Sequence, residues 1–503
     1  AIVPQFQQMA IDCEQTALLT TAPGHTTRCV DSAFVSTFEQ KKRQLEEDGA
    51  DRKTKWAQLE KLNLGRLRIA SKGLERQDDT LNEVDKDAQL RDGLYMIGQV
   101  ATLRSEVLTM AQLHQHVSEG ATEHLEASAP TVTSKQQAPA DVAIVGMSCV
   151  LPGAADVETF WSNIVHGRDA ISEVPTERWD PELYFDADSR DGTKTPSKWG
   201  GFIDPVPFDP LDYGIPPNSL PAIEPVQLLS LEIANRALDD AGYADRDFDR
   251  QRTSVIFGAE GGTELAGAYG FRAMYPSYLG TLPQALDEHL PSLTEDSFPG
   301  VLANVIAGRI ANRLDLGGAN YTVDAACASS LAAVDLAVKE LSAGTSDMVL
   351  CGGADFHNSI NDYLMFASVH ALSKDGRCKT FDSKANGIAL GEGVAVVVLK
   401  RLSDAQRDGD KIYAVIRGIG ASSDGRSLGL TAPRQEGQVR ALERAYKHAG
   451  VSPKEVRLVE AHGTGTVVGD KTELATLTEV YTDAGSLPGS CVLGSVKSQI
   501  GHT

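Results

Sequence analysis

The chain has 503 residues, 42% of them hydrophobic and 23% charged, with a formal net charge of −22. That length is too great for one ordinary core, so two or more folded units are expected, and the composition is that of a soluble globular protein, not a disordered one. The acidity disfavours nucleic acid or an anionic membrane as partner, because phosphate binding needs a basic surface, and no run of about 18 apolar residues exists to make a membrane span.

The first residues, Ala1-Ile2-Val3-Pro4-Gln5, lack both a starter Met and the basic-then-apolar pattern of a signal peptide. They read as an interior cut, with cytoplasmic location as the default. Residues 1–118 read as mainly helical. Val35 to Leu64 is dense in Lys, Glu, Gln and Arg, and Leu90 to Val117 sets Leu94, Ile97, Val100, Leu103, Val107, Met110 and Leu113 at helical spacing. Residues 119–140 are small and polar, contain Pro130 and Pro139, and show no apolar period, so they read as a linker.

From Asp141 the texture changes to short apolar runs alternating with helical patterns. Val142–Gly146, Thr253–Gly258, Asn320–Asp324, Met348–Gly353, Val394–Leu399, Val456–Ala461 and Cys491–Val496 are expected strands. Gln227–Ala241, Ser329–Ser342 and Lys471–Tyr481 are expected helices. This alternation indicates an α/β fold with largely buried strands in 141–503.

Seven cysteines, at 13, 29, 149, 327, 351, 378 and 491, are scattered without a close pair. That pattern argues against a disulfide framework and against a zinc or other metal site, and for reduced thiols. Cys327 stands out, in Val323-Asp-Ala-Ala-Cys-Ala-Ser-Ser-Leu331, at an expected strand-to-helix junction. Backbone N–H groups and the helix dipole there would favour its thiolate and cradle an oxyanion. Cys351 and Cys491 fall within expected strands and read as plain core. His462 follows a strand in Glu460-Ala-His-Gly-Thr-Gly-Thr466, where Thr464 and Thr466 are candidate substrate-binding residues. His502 ends Ser495-Val-Lys-Ser-Gln-Ile-Gly-His502, five residues after Lys497. Two imidazoles on glycine-bearing loops can hydrogen-bond a thioester carbonyl and hold an enolate, with a lysine to fix protonation states.

With these three motifs, and with Asp141-Val-Ala-Ile-Val-Gly-Met-Ser-Cys-Val-Leu-Pro-Gly-Ala154, Phe160-Trp161, Trp179-Asp180, Phe381-Asp382 and Gly391-Glu-Gly393, residues 141–503 resemble the β-ketoacyl synthase family. The likeness is to the ketosynthase domains of polyketide and polyunsaturated fatty acid synthases, and Asp324-Ala-Ala-Cys327 is nearer to the iterative lipid synthases. The resemblance implies a thiolase-like fold of two αβαβα-type halves, usually a homodimer. It implies that Cys327 takes an acyl group from the phosphopantetheine of an acyl carrier protein, with no cofactor of its own. His462 and His502 would assist decarboxylation of malonyl-carrier, with Lys497 in support. The product would be a 3-oxoacyl-carrier, in fatty acid or polyketide synthesis. Asn386 replaces the family's usual Asp before Gly387, which puts a local hydrogen bond in question. The family's Gly-rich, Phe-containing C-terminal segment has no counterpart here, which implies an incomplete acyl pocket and a missing core strand.

Residues 1–118 resemble the C-terminal part of nitronate monooxygenase-like flavin barrels, which include enoyl reductases. Pro23-Gly-His-Thr-Thr-Arg-Cys-Val30, Leu62-Asn-Leu-Gly-Arg-Leu-Arg-Ile-Ala70 and Gly93-Leu-Tyr-Met-Ile-Gly-Gln-Val100 carry that likeness. It implies FMN on a barrel lying mostly before residue 1, with a purely structural tail as the alternative. For 141–503 the alternatives are a thiolase, a chalcone-like synthase, and a non-elongating partner or docking component of a synthase. Histidine at 502 fits the first two poorly, and the retained Cys327 counts against the third.

Overall fold

Six short apolar runs build one mixed sheet. In chain order they are β1 (Val142–Val150), β2 (Thr253–Gly258), β3 (Asn320–Val323), β4 (Met348–Asp355), β5 (Gly393–Arg401) and β6 (Ala414–Ile416). The structure, a computed structural model, describes residues 3–103, 105–128, 140–190, 192–261, 264–426, 429 and 432–503. The chain divides into two units, Ala1–Val132 and Thr133–Thr503.

In the second unit the spatial strand order is β6-β1-β5-β4-β2-β3. Strands β4, β2 and β3 run parallel, and β5 is antiparallel to β1 and β4. Alternate residues bury on opposite faces. Val255 and Phe257 join Leu350, Val394, Val396 and Val398 in one core, while Ile256 joins Val349, Cys351 and Leu399 in another. A sheet apolar on both faces needs cover on both. Helices α1 (Pro225–Asp240) and α2 (Asn304–Arg313) supply Leu231, Ile233, Ala237, Ile306 and Ile310 to the first core. Helix α3 (Ser329–Ala343) supplies Ala333, Ala337, Val338 and Leu341 to the second.

Beyond β6 come α4 (Gln435–Ala449), β7 (Leu458–Glu460), α5 (Val467–Asp483), β8 (Val492–Gly494) and the short α6 (Lys497–Ile500). Strands β7 and β8 pair in parallel, and α4 meets α5 through a Tyr446–Tyr481 hydroxyl bond of 2.6 Å. The α/β expectation holds, unevenly: six strands form the first sheet and, among the described residues, two form this one. Cys491 departs from its reading as strand core. It precedes β8 and is half-exposed.

Gly258, the last residue of β2, brings α3 against the sheet. A Cβ there would fall on the Ser329 carbonyl and the Ser330 N–H, far inside van der Waals contact. Gly258→Ala should therefore destabilise the second unit by about 2 kcal/mol. Because Ser329 anchors the turn before α3, thiol reactivity at Cys327 should fall with it. Urea unfolding and timed alkylation measure the two effects; an unshifted midpoint would contradict the close approach.

The first unit is helical, with two β-hairpins that the sequence pattern missed, Thr16–Ala22 with His25–Val30 and Leu74–Gln77 with Thr80–Glu83. Helices Ala33–Glu47 and Arg52–Asn63 close over the first hairpin, burying Phe34, Phe38, Leu45 and Leu59 with Leu19 and Cys29. A single helix over Leu90 to Val117 does not form. Backbone groups that an intrahelical ladder would use go instead to the hairpin, Val30 N–H donating to the Tyr95 carbonyl at 2.9 Å. Helix resumes at Met110 and continues to Ser128, through residues expected to begin the linker. Ala121, Glu123, Leu125, Glu126 and Ala127 are good helix formers that a small-and-polar reading undervalues. The rest of that linker, 129–139, lies outside the described residues. No helix among the described residues is long and apolar enough to cross a membrane.

Candidate active site

Cys327 lies on the turn joining β3 to α3. Ala326, just before it, holds a left-handed φ of +49°, a conformation most side chains resist and a small one tolerates best. Hydrogen bonds lock the turn in that shape. Ser329 Oγ accepts from Ala325 N–H at 2.8 Å and donates to the Ala326 carbonyl at 2.7 Å, while Asp324 Oδ1 accepts from Ala326 N–H at 2.9 Å. The strained turn leaves the Cys327 side chain exposed at the carboxyl ends of the parallel strands, where open α/β sheets place their ligands.

His462 follows β7 on a loop clamped from α5. Glu473 Oε1 and Oε2 accept from His462 N–H at 2.7 Å and Gly463 N–H at 2.8 Å. Asp470 accepts from Gly465 N–H at 3.0 Å and Phe381 N–H at 2.7 Å. Gly463 has a φ of +44°, and a Cβ on it would strike the Thr380 methyl and Ser495. The Thr464 and Thr466 hydroxyls bond each other at 3.0 Å, and Thr464 is buried. His502 is fixed by its backbone, which donates to the Ala389 carbonyl at 2.7 Å and accepts from Gly391 N–H at 2.9 Å.

These three loops converge. His502 Nε2 lies 3.3 Å from Cys327 Sγ. The His462 and His502 rings stand edge to face with centroids 5.4 Å apart, and one side-chain atom from each of the three residues lies within 4.8 Å of the others. Lys497 opens α6 and reaches the cluster by charge, acting on Cys327, His462 and His502 alike. Asn386 makes its local bonds as an amide, accepting from Ser373 Oγ at 2.7 Å and donating to Asp375 at 2.9 Å.

The electrostatics revise one expectation. Although the Cys327 residue is open to solvent, the cleft walls around Sγ desolvate it and raise the thiol above its ordinary value; its own N–H and Lys497 pull it down, and Asp355 and Glu260 push it further up. That direction is opposite to the one expected from a helix N-terminus, because desolvation disfavours the anion. The imidazole nitrogen in contact with that thiol is His502 Nε2. That ring is held well below the usual imidazole value, at about 4, by burial, then His462, then Lys497. Burial followed by Lys497 also lowers His462, against Glu473 and Asp470. Both rings are neutral at physiological pH.

A stability prediction follows. Unfolded, His502 takes up its proton near pH 6.5; folded, only near 4. Between those values the unfolded chain binds more protons, so the stability is fully present above 6.5 and is lost as pH falls toward 4, by about 3 kcal/mol from this group. His502→Gln should flatten the fall of the urea midpoint between pH 7 and pH 4.5. An unchanged slope would contradict the buried neutral ring.

Sequence reasoning found Cys327, His462 and His502, which the fold brings together. It missed Glu473 and Asp470, acids in the first two turns of the helix after the His462 loop, where their carboxylates can take that loop's N–H groups. It also missed Asp355, which ends β4, accepts from His357 at 2.8 Å and lifts that imidazole to about 9.

A thiol on a strained strand-to-helix turn thus faces two imidazoles, an arrangement suited to acyl transfer. Residues 140–405 match the family described as beta-ketoacyl synthase, N-terminal domain, and residues 413–503 its C-terminal domain. The chain belongs to the β-ketoacyl synthase family. It is 38% identical over 380 residues to polyketide synthase PksN of Bacillus subtilis, covering 74% of this chain and 7% of that one. It is 39% identical over 376 residues to a polyunsaturated fatty acid synthase polypeptide of Thraustochytrium, covering 72% and 13%. The chain thus spans a small part of these curated relatives. Among solved structures, the ketosynthase from module 6 of the bacillaene synthase of Bacillus subtilis matches with a TM-score of 0.62 at 36% identity, over 72% of this chain and 58% of that one. An oxazolomycin ketosynthase domain of Streptomyces albus matches with a TM-score of 0.63 at 31% identity, over 72% and 60%. Its thiolase-like fold is that of these ketosynthases.

Proposed function

We propose that the chain catalyses decarboxylative Claisen condensation between a Cys327-bound acyl group and malonyl-carrier. The observation that carries this reading is the 3.3 Å approach of His502 Nε2 to Cys327 Sγ with His462 alongside. His502 accepts the thiol proton as Sγ attacks an acyl-phosphopantetheine thioester of an acyl carrier protein, and the carrier thiol leaves. Cys327 N–H steadies the oxyanion. Malonyl-carrier then enters, and the imidazole N–H groups of His462 and His502 hydrogen-bond its thioester carbonyl as carbon dioxide departs. The resulting carbanion attacks the Cys327 thioester; a carbon–carbon bond forms, the carbon–sulfur bond breaks, and a 3-oxoacyl-carrier two carbons longer is released. Thr464 and Thr466 face the pantetheine arm, and Lys497 keeps both rings neutral.

A homodimer fits the same reading. Strand β3 lies at the sheet edge, and Asp324–Ala328 beyond it are exposed, an edge that a second copy would cover. The test is to give the full-length protein an acyl thioester and malonyl-loaded carrier domain, then weigh the carrier-bound product. A 3-oxo product with matching carbon dioxide release is expected; an acyl chain moved without extension would replace condensation with plain acyl transfer.

A further inference from the structure

We infer that Cys327, His462 and His502 form a binding site for one soft divalent cation, Zn2+ in the first place, which reversibly blocks the nucleophile. Their ligating atoms already lie within 4.8 Å of one another. In a tetrahedral site with zinc–sulfur near 2.3 Å and zinc–nitrogen near 2.0 Å, the sulfur–nitrogen edge is about 3.5 Å. The Cys327–His502 edge, at 3.3 Å, is therefore formed in advance, and His462 needs to close by up to about 1.5 Å.

The nitrogens are available. No hydrogen bond to either ring nitrogen of His462 exists among the described residues, and there His502 Nε2, the nitrogen facing the sulfur, meets only Cys327 Sγ. Cys327 and His462 are exposed, leaving a fourth position open to water or to a free thiol. Sulfur with two imidazoles suits Zn2+ or Co2+ and not Mg2+ or Ca2+, which require oxygen. Binding makes one metal–sulfur and two metal–nitrogen bonds and releases the Cys327 thiol proton to solvent, with no change of oxidation state.

Two features keep the ion exchangeable. Among the described residues neither imidazole donates to a carboxylate or carbonyl behind it, a support whose loss costs metal sites about 10- to 100-fold in affinity. Lys497 adds a positive charge facing all three ligands. The cysteine spacing that argued against a zinc site could not register a cluster assembled from three separate loops.

The test titrates the full-length protein with ZnCl2 against a chromophoric zinc indicator, and with CoCl2 by absorption. One equivalent should bind, with a thiolate-to-cobalt charge-transfer band. Iodoacetamide treatment of the wild-type protein should abolish binding without any substitution, and Cys327→Ser should weaken it at least about tenfold. Lys497→Met should tighten it roughly three- to tenfold, while Cys491→Ser should leave it unchanged. Absence of the cobalt band, or equal binding before and after alkylation, would overturn the site. A protein that bound Zn2+ here yet formed no 3-oxo product would overturn only the condensation reading.

Discussion

Cys327→Ala should lower 3-oxoacyl formation by about 10^4-fold or more, the scale seen when a covalent nucleophile is removed. No other thiol can stand in. Cys351 and Cys378 are buried, and burial raises both, Cys351 to about 12. Cys491 is half-exposed but sits at β8, not on the β3–α3 turn. The fold should tolerate the change, because among the described residues the one side-chain partner of Cys327 Sγ is His502. The urea midpoint should therefore move by no more than about 0.5 kcal/mol equivalent. Malonyl-carrier should still lose carbon dioxide in this variant, since both imidazoles remain. Single-turnover labelling with a radioactive acyl thioester separates these effects; persistent labelling of the variant would remove Cys327 as nucleophile.

His462→Ala should divide the reaction differently. In the proposed mechanism Sγ delivers its proton to His502, so acyl loading should stay within about threefold, while decarboxylation falls by about 10^2- to 10^4-fold with the loss of an oriented N–H donor. Glu473→Gln is the milder form of the same change. Its amide keeps one acceptor for the two N–H groups at His462 and Gly463, so decarboxylation should drop about tenfold with loading unaffected. Carbon dioxide release and acyl loading, measured separately, check both variants. Collapse of loading with decarboxylation intact would reverse the division of labour.

What could be read in advance depended on whether the cause was local. Cys327, His462 and His502 each sit among small residues or glycines at the end of an apolar run, so the motif and the position in the fold coincide. Strand Thr253–Gly258 was legible because all six residues are apolar or small and bury on both faces. Glu473 was not, because its partner N–H groups come from a loop ten residues upstream whose path depends on tertiary contacts. The left-handed turn at Ala326 was hidden for a similar reason. Alanine carries no sign of positive φ, and the turn is imposed by Ser329 and by the approach of α3 at Gly258. In the first unit, apolar spacing from Leu94 to Leu113 imitated a helix, but hairpin bonds took the backbone groups that helix required. Desolvation raises the Cys327 thiol, and desolvation is a property of the assembled cleft.

One measurement bears most directly on whether this sulfur carries the growing chain. The full-length protein is incubated with an acyl thioester, digested, and its cysteine peptides weighed before and after malonyl-loaded carrier is added. The acyl mass should appear on the Cys327 peptide alone and vanish in step with formation of a 3-oxoacyl-carrier two carbons longer. An adduct on another cysteine, or one on Cys327 that persists while product accumulates, would contradict it.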